Sequence, residues 1–219
     1  MKQYLKLLKN TKLFNGITET EIEAMLSCLS ATKRSYQKGE CIFRKGELVS
    51  HVALLLEGCV HIQKEDYWGN SSILNEITEG EIFGEVYACL GNDEILNNAV
   101  AVRPSVVLFL DINRVLTMCS SACRFHGQLI RNLLSVLAAK NKVLAQKLEH
   151  MSQRTTREKL LSYLSEQSLK AGRPTFDIPF NRQQLADFLS VDRSAMSNEL
   201  CKMRDEGILQ FDRNHFTLK

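Results

Sequence analysis

With 219 residues, 44% of them hydrophobic and 24% charged, the chain is long enough for one large or two ordinary domains and has the balance of a soluble globular protein. It holds no run of eighteen apolar residues, and the segment Met1–Lys9 is too charged and too short for the apolar part of a signal peptide, so no membrane partner is expected and the cytoplasm is the expected location. The net charge of +3 neither demands nor excludes nucleic acid, so any DNA affinity has to come from a local surface.

In chain order, the first element is a helix over Ile17–Leu29. Thr18 is its cap, Glu21 the capping-box partner, and Ile22, Met25, Leu26 and Leu29 form one buried face. From about Thr32 to Asp111 the pattern changes to short apolar runs: Cys41–Phe43, Val52–Leu56, Val60–Ile62, Ile73–Leu74 and Val106–Leu110. Gly-containing turns at Gly39, Gly46, Gly58, Gly69, Gly80 and Gly91 separate them at the spacing of a small β-sandwich or barrel. A short helix is expected over Asp111–Met118, then one helix of about seven turns over Arg124–Met151.

The long helix carries two apolar stripes. Leu129, Leu133, Val136 and Val143 lie on one side; Ile130, Leu134, Leu137, Leu144, Leu148 and Met151 lie on the other, with Asn141 at a heptad a position. A single Asn at such a position fixes register and a two-stranded state. One stripe is expected against the β-domain and the second, Ile130, Leu134, Leu137, Asn141, Leu144 and Leu148, against a twin helix. Ser152–Arg154 reads as a hinge, and the capping box Thr155/Glu158 opens a helix over Lys159–Lys170 that Gly172-Arg173-Pro174 closes.

Residues 181–204 hold two short amphipathic helices joined by a tight turn, a helix-turn-helix signature. Asn181 and Gln184 form a capping box above Leu185, Phe188 and Leu189; Asp192 caps the second helix, whose Met196, Leu200 and Met203 pack back on the first. The outward face presents Arg193, Ser194, Ser197 and Asn198, side chains of the kind that read base edges in the major groove. Beyond Gly207, the runs Ile208–Phe211 and His215–Leu218 flank Asp212-Arg213-Asn214 as a β-hairpin, which completes a winged helix-turn-helix with Arg213 near phosphate.

The order of N-terminal helix, glycine-punctuated β-roll, long helix and C-terminal winged helix-turn-helix resembles the Crp/Fnr family of bacterial transcription regulators. The matching residues are Gly39-Glu40, Gly46-Glu47, Glu57-Gly58, Gly84-Glu85, Arg182 through Ser197, Leu200 and Gly207. The resemblance implies an α+β fold: a cyclic-nucleotide-binding-like jelly roll with flanking helices over residues 1–123, a dimerisation helix over 124–151 and a winged helix-turn-helix over 152–219. It also implies a homodimer that places two recognition helices, about residues 192–204, in successive major grooves of a palindromic site. By position, Arg182 and Gln183 would contact phosphate, while Arg193, Ser194, Ser197 and Asn198 would face bases. Asn198 stands where an Arg is common in the family, and Ser190 replaces the usual turn Gly. The expected partners are double-stranded DNA, a second copy of the chain, RNA polymerase and a small-molecule effector.

In the cyclic-nucleotide-binding members a Gly-Glu pair is followed by an Arg that neutralises the cyclic phosphate, because a buried phosphate without a paired cation is expensive. Here Gly84-Glu85 is present, but no Lys or Arg occurs from Ile82 to Val102. The expected effector, if lodged near Gly84, Glu85, Asn97 and Asn98, is therefore something other than a cyclic nucleotide. Seven cysteines (28, 41, 59, 89, 119, 123 and 201) without a C-x-x-C pair read as reduced thiols, and neither Cys119, Cys123 and His126 nor His51 and His61 make a recognisable ligand set. No cofactor, metal or catalytic constellation is expected, hence no enzyme. The alternative is a ligand-binding or protein-interaction module whose C-terminal helices dock a protein rather than DNA.

Overall fold

A computed structural model describes residues 1–65, 71–117 and 124–219. The chain forms two compact units, Met1–Leu137 and Ala138–Lys219. In the first, helices α1 (Leu5–Lys9) and α2 (Glu19–Cys28) precede a β-roll of two four-stranded antiparallel sheets. One sheet runs β1 (Thr32–Tyr36), β8 (Ser105–Asp111), β3 (His51–Glu57), β6 (Ile82–Phe83); the other runs β2 (Cys41–Phe43), β7 (Asn98–Ala101), β4 (Val60–Glu65), β5 (Ser71–Ile77). Helices α3 (Glu85–Leu90), α4 (Ile112–Leu116) and α5 (Arg124–Met151) complete this region, α5 continuing into the second unit.

Apolar burial dictates the roll. Val52–Leu56 is buried residue after residue because β3 is flanked by β8 and β6 and covered on both faces. Phe43 packs edge-on against Phe83 and Phe109, at centroid distances of 5.7 and 5.9 Å, filling the space between the sheets. The capping box Thr18/Glu21 starts α2 and sets Ile22, Met25 and Leu26 into the same core. On α5, Leu129, Leu133 and Val136 join that core as expected, each leucine contributing roughly 1.5–3 kcal/mol by burial. Val143 does not continue the stripe: it is 61% exposed, since the packing of α5 in this unit ends with Leu137. Buried Asn132 donates to the carbonyls of Leu13 and Asn15 and accepts from Gln128, tying the N-terminal segment to α5.

The second unit contains α6 (Thr156–Ala171), β9 (Thr175–Asp177), α7 (Arg182–Leu189), α8 (Arg193–Asp205) and the hairpin β10 (Leu209–Asp212)–β11 (His215–Leu218). The three strands form one sheet in the order β10, β11, β9. Its core unites Leu160, Leu164, Phe176, Leu185, Leu189, Met196, Leu200, Met203, Leu209 and Phe216. Tyr163 lies among them and burial pushes its phenol up to about 12.

Within this unit His150, near the end of α5, is 3% exposed and has both ring nitrogens engaged: Nδ1 with Ser162 Oγ at 2.8 Å, Nε2 with Glu166 Oε2 at 2.7 Å. Burial pushes the Glu166 carboxyl up, yet hydrogen bonds from Lys170 and His150 outweigh it and hold the group below the usual carboxylate range. Its stabilising contacts are therefore present above that range and are lost as pH falls through the lowered value. His150→Ala leaves Glu166 half-satisfied and is expected to destabilise the C-terminal unit by about 3 kcal/mol, read from the shift of its urea midpoint. An unchanged midpoint would show the corner to be unimportant.

Candidate nucleic-acid interface

Local rules place the two C-terminal helices. The capping box of Asn181 and Gln184, 2.9 Å in both directions, opens α7. Ser190 closes it in the left-handed region at φ 51°, at a cost of roughly 1–2 kcal/mol for a residue with a Cβ. Lys159 Nζ donates to the Leu189 carbonyl at 3.2 Å and satisfies one of the open acceptors of that end. The next helix starts two residues later: Asp192 accepts from the Ala195 amide at 2.8 Å and from the Ser194 hydroxyl, which together hold its carboxyl below the usual range. Arg157 of α6 pairs with Glu199 at the middle of α8 and with Glu206 just past its C-terminus, holding the C-terminal half of that helix to α6.

The inward face of α8 is Met196, Leu200 and Met203, all fully buried. On the outward side Arg193, Ser194, Ala195 and Asn198 are exposed, and Ser197 is half-buried with its hydroxyl donating to the Arg193 carbonyl at 2.9 Å. Among the described residues, Arg193 and Asn198 make no side-chain hydrogen bond or ion pair. Exposed Ala195, absent from the expected set, shares this surface; a methyl group gives no polar signal in the sequence. Arg213 occupies the tip of the hairpin, exposed, at φ 51°.

Of the expected phosphate contacts, Gln183 is exposed and donates to Asp187 Oδ1 at 2.8 Å. Arg182 is different. Its guanidinium lies over the rings of Phe211 and Phe216, at 4.8 and 5.1 Å, with Nη1 buried and unpaired among the described residues. Burial lowers its pKa. Arg182 therefore fastens α7 to the hairpin by cation–π packing, with the residue as a whole half-buried.

Around the expected effector position, Gly84 adopts φ 76° where any Cβ would meet the Phe43 ring at 2.6 Å. Glu85 starts α3 and is 3% exposed, Asn98 accepts from the Lys45 amide at 2.8 Å, and Asn97 is half-buried. None of the four lines the cavity of about 200 Å³ that opens elsewhere in the roll, bounded by Arg34, Tyr36, Phe43, Leu48, His51 and Phe109 with their neighbours. His126 is buried with Nε2 on the Val115 carbonyl at 3.0 Å, while Cys119 and Cys123 lie outside the described residues. No helix among the described residues is long and apolar enough to cross a membrane.

Residues 33–122 match the cyclic nucleotide-binding domain model, and residues 158–219 match the Crp-like helix-turn-helix domain model. The cyclic AMP receptor protein of Thermus thermophilus is 26% identical over 203 residues, 93% of this chain and 90% of that protein. The chain belongs to the Crp/Fnr family. Solved structures share its fold: DNR from Pseudomonas aeruginosa, at 22% identity, covers 100% of this chain and 95% of its own with a TM-score of 0.51. CprK complexed with OCPA reaches a TM-score of 0.62 at 16% identity over 89% of this chain and 90% of its own. As a Crp/Fnr protein with this C-terminal domain, the chain is a DNA-binding transcription regulator.

Proposed function

We propose that two copies of the chain pair through α5, that the paired α8 helices read a palindromic operator, and that the effector, where one acts, is not a cyclic nucleotide. The outward face of α8 carries this reading. Among the described residues Arg193 and Asn198 stand without a side-chain partner on the side opposite a fully buried stripe, with Ser194 and the Ala195 methyl between them. Arg suits guanine, Asn adenine and a methyl the thymine C5 group. Arg213 would add a phosphate contact from the wing, and Gln183 another from α7.

Pairing is supported by the second α5 stripe, where Leu134, Leu144 and Leu148 are 60, 65 and 68% exposed. Three exposed leucines in heptad register with Asn141, itself exposed, are costly to leave in water and fit a twin helix; Ile130 and Leu137, both half-buried, border them. Residues 138–219 also hold 14 Lys and Arg against 10 Asp and Glu, so the chain's positive charge is concentrated in the part that would meet DNA.

The lack of any cation from Ile82 to Val102 is the reason to set cyclic nucleotides aside. Cyclic AMP or cyclic GMP at millimolar concentration is expected to leave the melting temperature unchanged. A ligand present at 100 times its dissociation constant adds about 2.7 kcal/mol, so a clear upward shift would contradict the assignment. DNA retention on filters as a function of salt tests the rest: affinity that falls steeply with salt and prefers one duplex sequence supports operator reading, whereas indifference to DNA would favour a protein partner for the C-terminal helices.

A further inference from the structure

On the outer face of the roll, three potential metal ligands converge. Cys59 immediately precedes β4 and His61 is its second residue, so the two, separated by one residue along extended chain, point to the same side of the sheet; Glu76 of β5 is the direct antiparallel partner of His61. Their ligand atoms, Cys59 Sγ, an imidazole nitrogen of His61 and a Glu76 carboxylate oxygen, all lie within 4.8 Å of one another. His61 Nε2 and Glu76 Oε2 are already 3.0 Å apart. We propose that Cys59, His61 and Glu76 form a binding site for a divalent transition-metal ion of the zinc type, with the fourth position open to solvent.

Bond lengths of about 2.0–2.3 Å put tetrahedral zinc ligands roughly 3.3–3.6 Å from each other, so the present spacing closes by about an ångström of side-chain rotation. One thiolate and one carboxylate with a neutral imidazole balance a doubly charged ion, and the mixed S, N, O set suits zinc better than magnesium or calcium. The backbone beneath is held in place before any ion arrives. The Cys59 amide donates to Ser105 Oγ at 3.3 Å, and the Cys59 carbonyl accepts from the Val102 amide at 3.0 Å. Gly58, at φ 102°, is pressed so close to Ser105 and Pro104 that a Cβ would sit 2.2 Å from Ser105 Oγ. Arg103 donates to the Gly58 carbonyl at 2.9 Å and lies 4.0 Å from Glu79, so its charge is largely answered at the edge of the site.

The test uses the full-length, metal-free chain under a non-thiol reductant, titrated with Co²⁺ and then with Zn²⁺. One equivalent of Co²⁺ per chain is expected to give a thiolate-to-cobalt charge-transfer band with intense four-coordinate d–d absorption, both erased by Zn²⁺. Cys59→Ser should abolish the band, and His61→Gln and Glu76→Gln should each weaken binding at least tenfold, with metal-free circular dichroism unchanged. Absence of the band in the wild-type chain, or its survival at full strength in Cys59→Ser, would overturn the proposal; the latter result would place the ion on other thiols. Should Cys59→Ser fail to fold, His61→Gln and Glu76→Gln decide, and undiminished binding in both would overturn it equally.

Discussion

Leu144→Glu combined with Leu148→Glu is expected to leave a folded chain that sediments as a monomer at concentrations where the wild-type chain is expected to sediment as a dimer. Both side chains are mostly exposed within one copy, so their replacement removes little from the fold. In a two-helix seam the same leucines would be buried at roughly 1.5–3 kcal/mol each, and four of them meet per dimer. Adding four like charges to the seam, the pair of substitutions should weaken association by at least about 1000-fold, equivalent to roughly 4 kcal/mol. Operator affinity should fall with it, because each half-site would then be bound by one copy alone. An unchanged dimer in sedimentation equilibrium would remove α5 from the interface.

Arg193→Ala addresses the other half of the proposal. A bidentate Arg–guanine contact contributes about 1–3 kcal/mol of discrimination, so specific affinity should drop roughly 5- to 150-fold per contact and preference should blur at one base pair in each half-site. Stability should hardly move, since Arg193 is exposed and makes no ion pair among the described residues. Competition binding against duplexes that vary one position at a time measures both quantities. Equal affinity and equal preference in the variant would show that α8 reads DNA through other residues or not at all.

The sequence was most legible where structure is decided within a few residues. Three capping boxes, Thr18/Glu21, Thr155/Glu158 and Asn181/Gln184, appear in the structure as read, because each is settled by side chains three positions apart. Met196, Leu200 and Met203 are the buried stripe of α8 for the same reason of helical spacing. The seat of Arg182 over two rings was not legible, because it depends on Phe211 and Phe216, some thirty residues further on. Strand β9 is not legible in the sequence: its three residues, among the four between Pro174 and Pro179, are too few to show a period of two. The trio Cys59, His61 and Glu76 was invisible for a related reason, since only the register that sets His61 opposite Glu76 brings the last ligand to the first two. Val143 shows the converse limit: helical periodicity says which residues share a side, but not where the packing partner stops.

Selection of the purified chain against a random duplex library at fixed salt tests the central claim most directly, run with and without cell extract as a source of effector. Two copies of α8 related by a two-fold axis should enrich an inverted repeat whose half-site centres lie about one helical turn, roughly 10 base pairs, apart. Enrichment of nothing in either condition, or of a motif without two-fold symmetry, would contradict it.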